Sequence, residues 1–321
     1  MYIRKVVPLI FSIFFISSQF VLTQDFIPGN KYHIDSDYVE YVHGDLPLII
    51  SVPHGGYEKP DDIPERTGRF AKNQDIYTIE IAYEIIQRIN ELTGKYPYVI
   101  INHLHRTRLD ANRNIEEAAN GNLKAEEVWY AYHNQISSVK ERITEEYGKG
   151  LFIDLHGHRH KIERIELGYL LTGEELRLDK ELLDGGLLNE FSSIRHLLEE
   201  NRLELSFTEL IRGRFSFGSL LSAKGQVCVP CSKLLYPQPD EPFFSGGFNT
   251  SRYGSSSGGT IDGIQIEMDL HTRTDLHLQK KVANDIALSL IEFLSIHYFP
   301  QIPEIAAYGD SVLGQYFENK R

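Results

Sequence analysis

Short apolar stretches alternate along the chain with longer stretches in which apolar residues recur every three or four positions. Residues 46–52 are apolar and rich in β-branched side chains, and they stop at the sequence PHGG (53–56). This pattern predicts a buried strand that ends in a loop. The apolar residues between Asp75 and Gly94 have helical spacing, and residues 98–101 form another apolar run. A strand–helix–strand unit is therefore predicted.

The rest of the chain continues this alternation. Further strands are predicted at 151–155, 165–171 and 263–268, and further helices at 125–147, 187–200 and 281–297. Residues 213–259 are rich in glycine, serine, proline and aromatic side chains, which predicts long loops. The alternation of strands and helices favours an α/β fold whose sheet contains parallel pairs.

The N-terminus has the pattern of a targeting segment. Basic residues at 4–5 precede an apolar stretch at 6–16 and small polar residues at 17–19, which is typical of a secretory signal peptide. We expect residues 1–23 to be the signal peptide and 24–321 to form one domain, secreted or lumenal. A retained signal anchor is the alternative. No later segment reaches the ~18 apolar residues of a membrane helix, so no membrane contact is expected after cleavage.

Composition narrows the functional classes. The 321 residues are 41% hydrophobic and 24% charged, which excludes a disordered or coiled-coil chain and predicts a folded one. The formal net charge of -12 would repel a phosphate backbone. We therefore expect no nucleic acid partner.

Two short motifs depend on the cellular compartment. Cys228 and Cys231 are the only cysteines of the chain, and in an oxidising compartment they could close a local disulfide. Redox catalysis, free thiols and metal binding are the alternatives. Asn249 begins an Asn-Thr-Ser sequence, which is an acceptor pattern for N-glycosylation.

Unusual polar side chains stand at or just after the ends of the predicted strands. Ligands and catalytic groups of open α/β sheets collect at the carboxyl ends of strands, so these side chains are predicted to converge on one crevice. They are His54, Arg106, Arg108, His156, His158 and Glu267.

Two histidines and a carboxylate indicate a metal site. Asp154 and His156 point to one face of a strand, so Asp154 can hold one imidazole nitrogen while the other nitrogen binds a metal. His54 supplies a second imidazole. Two imidazoles and a carboxylate leave one position open, as in catalytic zinc sites. Asp75 and Glu58 are both within reach as the carboxylate, and a helix cap or a solvated side chain is the alternative role for each.

The remaining candidates are charged. Arg106, Arg108 and Arg113 crowd three guanidinium groups into eight residues. Their mutual repulsion favours an anionic partner such as a substrate carboxylate, with a solvated basic loop as the alternative. Glu267 interrupts an apolar strand, so it needs a partner. A general base acting on water is the favoured role and a buried ion pair the alternative.

These elements together resemble the N-formylglutamate amidohydrolase family. The family's motifs occur in order between residues 46 and 273, as Pro53-His54-Gly55-Gly56, Asp75, Asp110-Ala111-Asn112-Arg113, Asp154-Leu155-His156 and Glu267. The resemblance implies a mixed, largely parallel α/β sheet with helices on both faces, of the phosphorylase/hydrolase-like and zinc carboxypeptidase-like type. It also implies one zinc ion per chain, with His156 as a ligand, Asn112 and Arg113 holding a substrate carboxylate, and Glu267 as the base.

The chain departs from the related carboxypeptidases at one point. Their first two ligands come from an HxxE motif, but here Tyr57 stands where that motif has its glutamate, and the acidic ligand is not fixed by it. We prefer Asp75 over Glu58 as the third ligand beside His54 and His156.

The resulting hypothesis is a secreted zinc hydrolase of linear amide bonds in a small carboxylate-bearing substrate, such as an N-acyl amino acid. Glu267 and Arg108 are the catalytic candidates, and Arg106, Asn112 and Arg113 the substrate-binding ones. Asp154, His158 and Glu58 either hold a ligand in place or replace one. A zinc peptidase and a non-catalytic anion-binding protein are the alternatives.

Overall fold

A mixed β-sheet forms the centre of the protein. The chain is described over residues 26–69 and 71–318 in a computed structural model, with side chains described up to residue 314. The predicted signal peptide, 1–23, lies outside the described residues. The sheet has the strand order β1-β2-β4-β3-β5-β8-β6-β7. The strands are β1 (Lys31–His33), β2 (Val39–Val42), β3 (Leu48–Val52), β4 (Tyr98–Asn102), β5 (Gly150–Gly157), β6 (Ile165–Gly168), β7 (Cys228–Val229) and β8 (Ile261–Met268).

Helices connect the strands and cover the sheet. Their bounds are α1 (Thr78–Thr93), α2 (Ile115–Ala119), α3 (Leu123–Tyr147), α4 (Gly173–Leu176), α5 (Lys180–Asp184), α6 (Leu187–Phe191), α7 (Arg195–Glu199), α8 (Phe207–Arg212), α9 (Phe217–Ala223), α10 (Phe248–Tyr253), α11 (Leu270–Thr274), α12 (Leu276–His297) and α13 (Pro303–Glu318), with a 3-10 turn at Ser255–Ser257. Among the described residues, no helix combines the length and the apolar character that crossing a membrane requires.

The central strands β4, β3, β5 and β8 run parallel, whereas β1, β2 and β6 pair antiparallel with their neighbours in the order β1-β2-β4 and β8-β6. Parallel strands bring their carboxyl ends to one edge of the sheet, and the helical connections α1 and α3 link β3 to β4 and β4 to β5. The predicted fold class, a mixed and largely parallel sheet, is confirmed.

Apolar cores on both faces explain why the central strands have continuous apolar sequences. One core packs Ile50, Val99 and Ile153 against α1, α9 and α12. The other packs Ile49 and Phe152 against α3. Strands buried on both faces lose the alternation of polar and apolar residues, and helices on both faces are confirmed.

Capping residues set the ends of the long helices. Gly94 ends α1 in the left-handed region at φ 71°, as predicted from its position after the last apolar residue. Asn122 accepts a hydrogen bond from the Ala125 amide and begins α3. Asp275 caps α12 in the same way, so this helix starts five residues before the predicted Lys281.

Other predictions of secondary structure also differ from the structure. The predicted helix 187–200 is broken at Ser193, whose hydroxyl donates to the Gly263 carbonyl at 2.7 Å and whose own carbonyl accepts from Gly263 at 2.8 Å. These bonds to the sheet replace helical ones. Residues 213–259 contain α9, β7 and α10 rather than loops alone. Asp75 precedes α1 instead of beginning it, because its side chain points into the site described next.

Candidate active site

The carboxyl ends of the parallel strands bring two histidines and an aspartate together. His54 follows β3, His156 lies near the end of β5, and Asp75 lies in the segment before α1. One ligand atom from each of these three buried residues lies within 4.8 Å of the others. The amide of Asp75 also donates to the His54 carbonyl at 3.1 Å, which fixes the aspartate beside the first histidine. The structure therefore brings together the three residues that the sequence analysis grouped.

The two imidazole rings face each other through the same type of nitrogen. Nδ1 of His54 and Nδ1 of His156 lie 3.1 Å apart. Oδ2 of Asp75 lies 3.3 Å from the first nitrogen and 3.0 Å from the second. In a tetrahedral site with metal–ligand distances near 2.1 Å, ligand atoms are separated by about 3.4 Å. The observed separations are close to this value.

The outer nitrogen of each ring is held by its own aspartate. Nε2 of His54 lies 2.6 Å from Oδ1 of Asp110, and Nε2 of His156 lies 2.9 Å from Oδ2 of Asp154. An ionised carboxylate can only accept a hydrogen bond, so each Nε2 carries the hydrogen. Both Nδ1 lone pairs then point at each other and at Asp75. Three converging electron-pair donors require a cation between them, and they fit a divalent metal ion.

The charge state of the cluster reflects the same electrostatics. Burial alone would raise the pKa of the Asp75 and Asp110 carboxyls, but hydrogen bonds and positive charge from the histidines lower both well below the usual range. Burial disfavours the imidazolium form of His156, but Asp154 and Asp75 raise the pKa of this ring well above its usual value. The cluster thus attracts positive charge.

Glu267 lies directly beside the cluster. It is paired with His156 in the register of β5 and β8, and its side chain accepts a hydrogen bond from Nε2 of Gln265 at 3.0 Å. Burial raises the pKa of Glu267 to about 8; the positive charge of His156 opposes this shift, and the carboxylates of Asp75 and Glu166 add to it. A carboxyl with such a pKa can both accept and release a proton near neutral pH.

The three arginines that were predicted to bind an anion occupy different environments. Nε of Arg106 donates to Asp110 at 2.9 Å, and its guanidinium lies 4.0 Å from Asp75. The side chain of Arg113 is 41% exposed and lies 3.7 Å from the Glu117 carboxylate. Both residues line the cavity, but the predicted catalytic Arg108 does not. The Arg108 amide donates to the His105 carbonyl and closes a turn. This turn directs the side chains of residues 106 and 108 to different sides.

The alternative metal ligands lie apart from the cluster. Glu58 is exposed, and its backbone forms a bridge to Leu104. The ring of His158 is already used on both sides, because Nε2 bonds to the Arg164 carbonyl at 2.8 Å and Nδ1 accepts from the His160 amide at 3.1 Å. His158, His160 and Glu166 form a second group of nearby polar atoms. The structure brings Asp75, and not Glu58, next to the two imidazoles.

Asn112 connects the cluster to α10. Its Nδ2 lies 3.1 Å from Nε2 of His156, and its Oδ1 accepts from the Asn249 amide at 2.8 Å. Asn249 is fully buried, and its Nδ2 donates to Asp154 at 3.4 Å. This position argues against the glycosylation predicted at Asn249, because a buried amide nitrogen that faces a carboxylate leaves no room for a sugar.

The predicted disulfide is also absent. Cys228 and Cys231 are both free and buried. The Cys228 thiol donates to the Gly218 carbonyl at 2.8 Å, and the Cys231 sulfur accepts from the Leu234 amide at 3.3 Å. Each sulfur thus has a backbone partner of its own.

A cavity of about 370 Å³ opens in front of the cluster. Besides the residues already described, its walls include Asn73, Gln74, Gly157, Arg159, His160, Phe244, Gly246 and Gly247. Within the glycine-rich region predicted as long loops, Gly246 and Gly247 line the cavity and residues 213–218 do not. Sequence reasoning missed Arg159, His160 and Phe244, and it treated Asp110 only as part of a motif. The run of histidines after His156 was the one available signal for the first two.

The comparison with known proteins gives matches among solved structures alone. No protein-family model and no curated protein matches the chain. N-formylglutamate amidohydrolase from Ralstonia eutropha is 14% identical over 76% of this chain and 91% of that one, with a TM-score of 0.48. A gene product from Agrobacterium tumefaciens is 11% identical over 81% and 95%, with a TM-score of 0.47. An N-acetylmuramyl-L-alanine amidase from Mycobacterium abscessus is 11% identical over 77% and 98%, with a TM-score of 0.34. The first of these structures bears the name of the family that the motifs of this chain resemble.

Proposed function

We propose that this protein is a metal-dependent hydrolase that cleaves a linear amide bond in a small carboxylate-bearing substrate, such as an N-acyl amino acid. The metal is one zinc ion per chain, and the protein acts outside the cell or in a lumenal compartment. The observation that carries the proposal is the convergence of His54, Asp75 and His156 beside the buried carboxyl of Glu267, in front of a cavity large enough for such a substrate.

His54, Asp75 and His156 would hold the metal. When bound, it would act as a Lewis acid that polarises the amide carbonyl and makes water a better nucleophile. Asp110 and Asp154 hold the two imidazole rings so that both Nδ1 lone pairs face Asp75. This arrangement leaves the rings no freedom to turn their Nε2 atoms inward, and it favours a cation at one position.

Glu267 is the proton carrier in this mechanism. Its Oε1 accepts from Gln265, which orients the carboxyl and leaves Oε2 for water. The carboxylate takes a proton as water adds to the amide carbon, and it passes this proton to the nitrogen as the C–N bond breaks. The products are a carboxylate and an amine. Burial raises the pKa of Glu267 to about 8, and a divalent cation held by the cluster would oppose this shift and favour the ionised carboxylate.

The cavity walls favour an anionic substrate. Arg106, Arg113 and Arg159 all line the cavity. Arg106 forms an ion pair with Asp110 and so supports the carboxylate that holds His54. The guanidinium groups of Arg113 and Arg159 can bind a substrate carboxylate. Asn112 supplies an amide between them and the metal ligands. A peptidase would use the same metal ligands but would accept longer chains.

The first test is the metal content of the purified protein, measured by elemental analysis. We expect about one zinc per chain, lost in His54→Ala and in His156→Ala and retained in His277→Ala, which changes an exposed histidine of α12. Zinc that survives the first two substitutions, or protein prepared without chelator that contains no metal, would refute the proposal.

The second test is hydrolysis of a panel of N-acyl amino acids and peptides. The Glu267→Gln variant should keep its zinc and lose activity by about 10²–10⁴-fold, since only the proton transfer is removed. Cleavage of peptides in preference to N-acyl amino acids would identify a peptidase instead. If the zinc-loaded protein cleaves no compound of the panel, the result would indicate a non-catalytic binding protein instead.

A further inference from the structure

Arg159 is an exposed cation on the wall of the cavity. Of the arginines on the cavity wall, Arg106 is paired with Asp110, and Arg113 lies near Glu117 and donates to the carbonyl of Asn112 at 2.9 Å. Within residues 26–69 and 71–318, Arg159 makes no hydrogen bond or ion pair and is exposed. It is therefore the guanidinium whose fork is open to an incoming carboxylate.

The backbone on both sides of Arg159 is fixed. The His158 amide donates to the Met268 carbonyl at 2.9 Å, and the His158 carbonyl accepts from Arg273 at 2.9 Å. The His160 amide donates to the ring of His158 at 3.1 Å. The backbone at the end of β5 is therefore fixed, and the guanidinium of Arg159 can move only by rotation within its own side chain.

The neighbouring wall of the cavity is an aromatic stack. The rings of His160 and Phe244 lie 4.7 Å apart at an angle of 17°. Glu166 holds both residues, because one carboxylate oxygen lies 3.1 Å from Nδ1 of His160 and the other accepts from the Phe244 amide at 2.8 Å. Glu166 is itself buried and lies 3.4 Å from Arg164. Phe244 is nevertheless 44% exposed.

An exposed aromatic ring is unusual on the wall of a cavity lined mostly by polar residues, and a buried carboxylate holds the backbone that carries this ring. We propose that Arg159, His160 and Phe244 form a substrate subsite that selects N-acyl amino acids with an aromatic side chain. The guanidinium of Arg159 binds the α-carboxylate, and the exposed face of Phe244 packs against the substrate ring. This inference rests on the function proposed above.

An acidic side chain would fit this subsite less well. A second carboxylate would lose water against the face of Phe244 and gain no hydrogen bond there. An aromatic ring instead removes apolar surface from water and adds a stacking interaction, and both gains require little ordering because the stack is already in place. N-acylglutamate is therefore expected to bind more weakly than N-acylphenylalanine.

The test uses binding to the zinc-loaded Glu267→Gln variant, so that hydrolysis does not interfere. The ligands are N-acetyl-phenylalanine, N-acetyl-alanine, N-acetyl-glutamate and N-acetyl-phenylalanine amide, which lacks the carboxylate. Calorimetry should show N-acetyl-phenylalanine binding about fivefold more tightly than the alanine and glutamate compounds. Equal affinities, or a preference for N-acetyl-glutamate, would overturn the proposal.

Variants in the same background separate the two contacts. Phe244→Leu should bring the phenylalanine-to-alanine ratio close to one, whereas Phe191→Leu, an exposed residue outside the cavity lining, should not change it. Arg159→Gln should weaken the acids by about tenfold and leave the amide unaffected, with Arg195→Gln as its control. An Arg159→Gln variant that binds acids and amide as the parent does would overturn the role of Arg159.

Hydrolysis by the wild-type protein, measured separately, distinguishes the two proposals. Selective binding of N-acetyl-phenylalanine without any hydrolysis would support the subsite and refute the proposed function. Hydrolysis of N-acyl amino acids without preference for aromatic ones would support the function and refute the subsite.

Discussion

Nδ1 of His54 and Nδ1 of His156 lie 3.1 Å apart in the buried interior of the protein. The contact joins two strand ends that are 102 positions apart in sequence. Because each ring donates from Nε2 to an aspartate, the facing nitrogens present lone pairs to each other. Such a contact is repulsive until a proton or a metal ion lies within reach of both nitrogens and of Asp75.

Removing either supporting aspartate should weaken metal binding while leaving its three ligands in place. We expect Asp110→Asn and Asp154→Asn each to lower zinc affinity by about 10–100-fold, because an amide no longer fixes the tautomer and orientation of the ring. Competition with a chelator of known affinity measures the change. Asp61→Asn, which alters an exposed carboxylate, is the control. Unchanged affinity in both variants would show that the rings are positioned by other contacts.

Much of the central fold could be predicted because strands that are buried on both faces are continuous apolar runs in the sequence. β3, β4, β5 and β8 are apolar runs, and α1 ends at the glycine that the pattern indicated. β1 and β2 were missed, since they are only three and four residues long. The break at Ser193 depends on a bond to Gly263, 70 positions away, which no local pattern encodes.

The candidate site likewise contains residues that could be predicted from the sequence and residues that could not. His54 and His156 could be grouped because each lies at the end of a predicted strand, and Asp75 joins them because it precedes the helix that follows the first strand. Arg108 was assigned to the cavity because it is close to Arg106 in sequence, but a turn places the two residues differently. Phe244 reaches the cavity through a loop whose course depends on Glu166. Contacts of this kind become visible only when the chain is folded.

Gly157 is required by the passage of Arg273 across the end of β5. A Cβ atom at position 157 would lie 2.1 Å from Nε of Arg273. This buried guanidinium cannot move away easily, because it donates to the carbonyls of Met268, His158 and Ile76. We expect Gly157→Ala to lower the free energy of unfolding by about 2–3 kcal/mol. Chemical denaturation measures this change.

Gly314→Ala is the matched control for that substitution. No atom lies within 4 Å of a Cβ built at position 314, and the residue lies in α13. Alanine is the better helix former, so this variant should be as stable as the parent or more stable. Equal stability of the two variants would mean that Arg273 can leave Gly157 at no cost.

Asn249 should carry no glycan in the folded protein. Its side chain is fully buried, and its amide faces Asp154, so attachment would require α10 to leave the sheet. Expression in a eukaryotic secretory system, followed by peptide mass spectrometry, gives the occupancy of the sequon. A folded and zinc-loaded protein with a sugar on Asn249 would contradict the position of α10 described above.

Glu40 of β2 is a buried carboxylate that should make stability depend on pH. Burial disfavours its charged form, but hydrogen bonds from His103, Tyr83 and Lys31 outweigh this effect and lower the pKa of Glu40 to about 2. The hydroxyl of Tyr83 donates to both carboxylate oxygens at 2.9 Å, and the Lys31 ammonium lies 3.1 Å from one of them. Glu40 therefore links the first two strands of the sheet to α1.

The lowered pKa fixes the direction of the pH dependence. Between pH 4.5, where an ordinary glutamate of the unfolded chain is half protonated, and a pH of about 2, the unfolded chain binds a proton at Glu40 that the folded protein does not. The stabilisation is complete above pH 4.5 and is lost as the pH falls toward 2.

Replacing the Glu40 carboxylate with an amide tests this dependence. We expect Glu40→Gln to be less stable than the parent by roughly 2 kcal/mol at pH 6, after allowance for solvent screening, and the gap to close in acid. Urea unfolding of both proteins from pH 6 to about 3 measures this gap, with Glu84→Gln, an exposed position of α1, as control. A gap that stays constant over this range would show that the charge of Glu40 contributes nothing to stability.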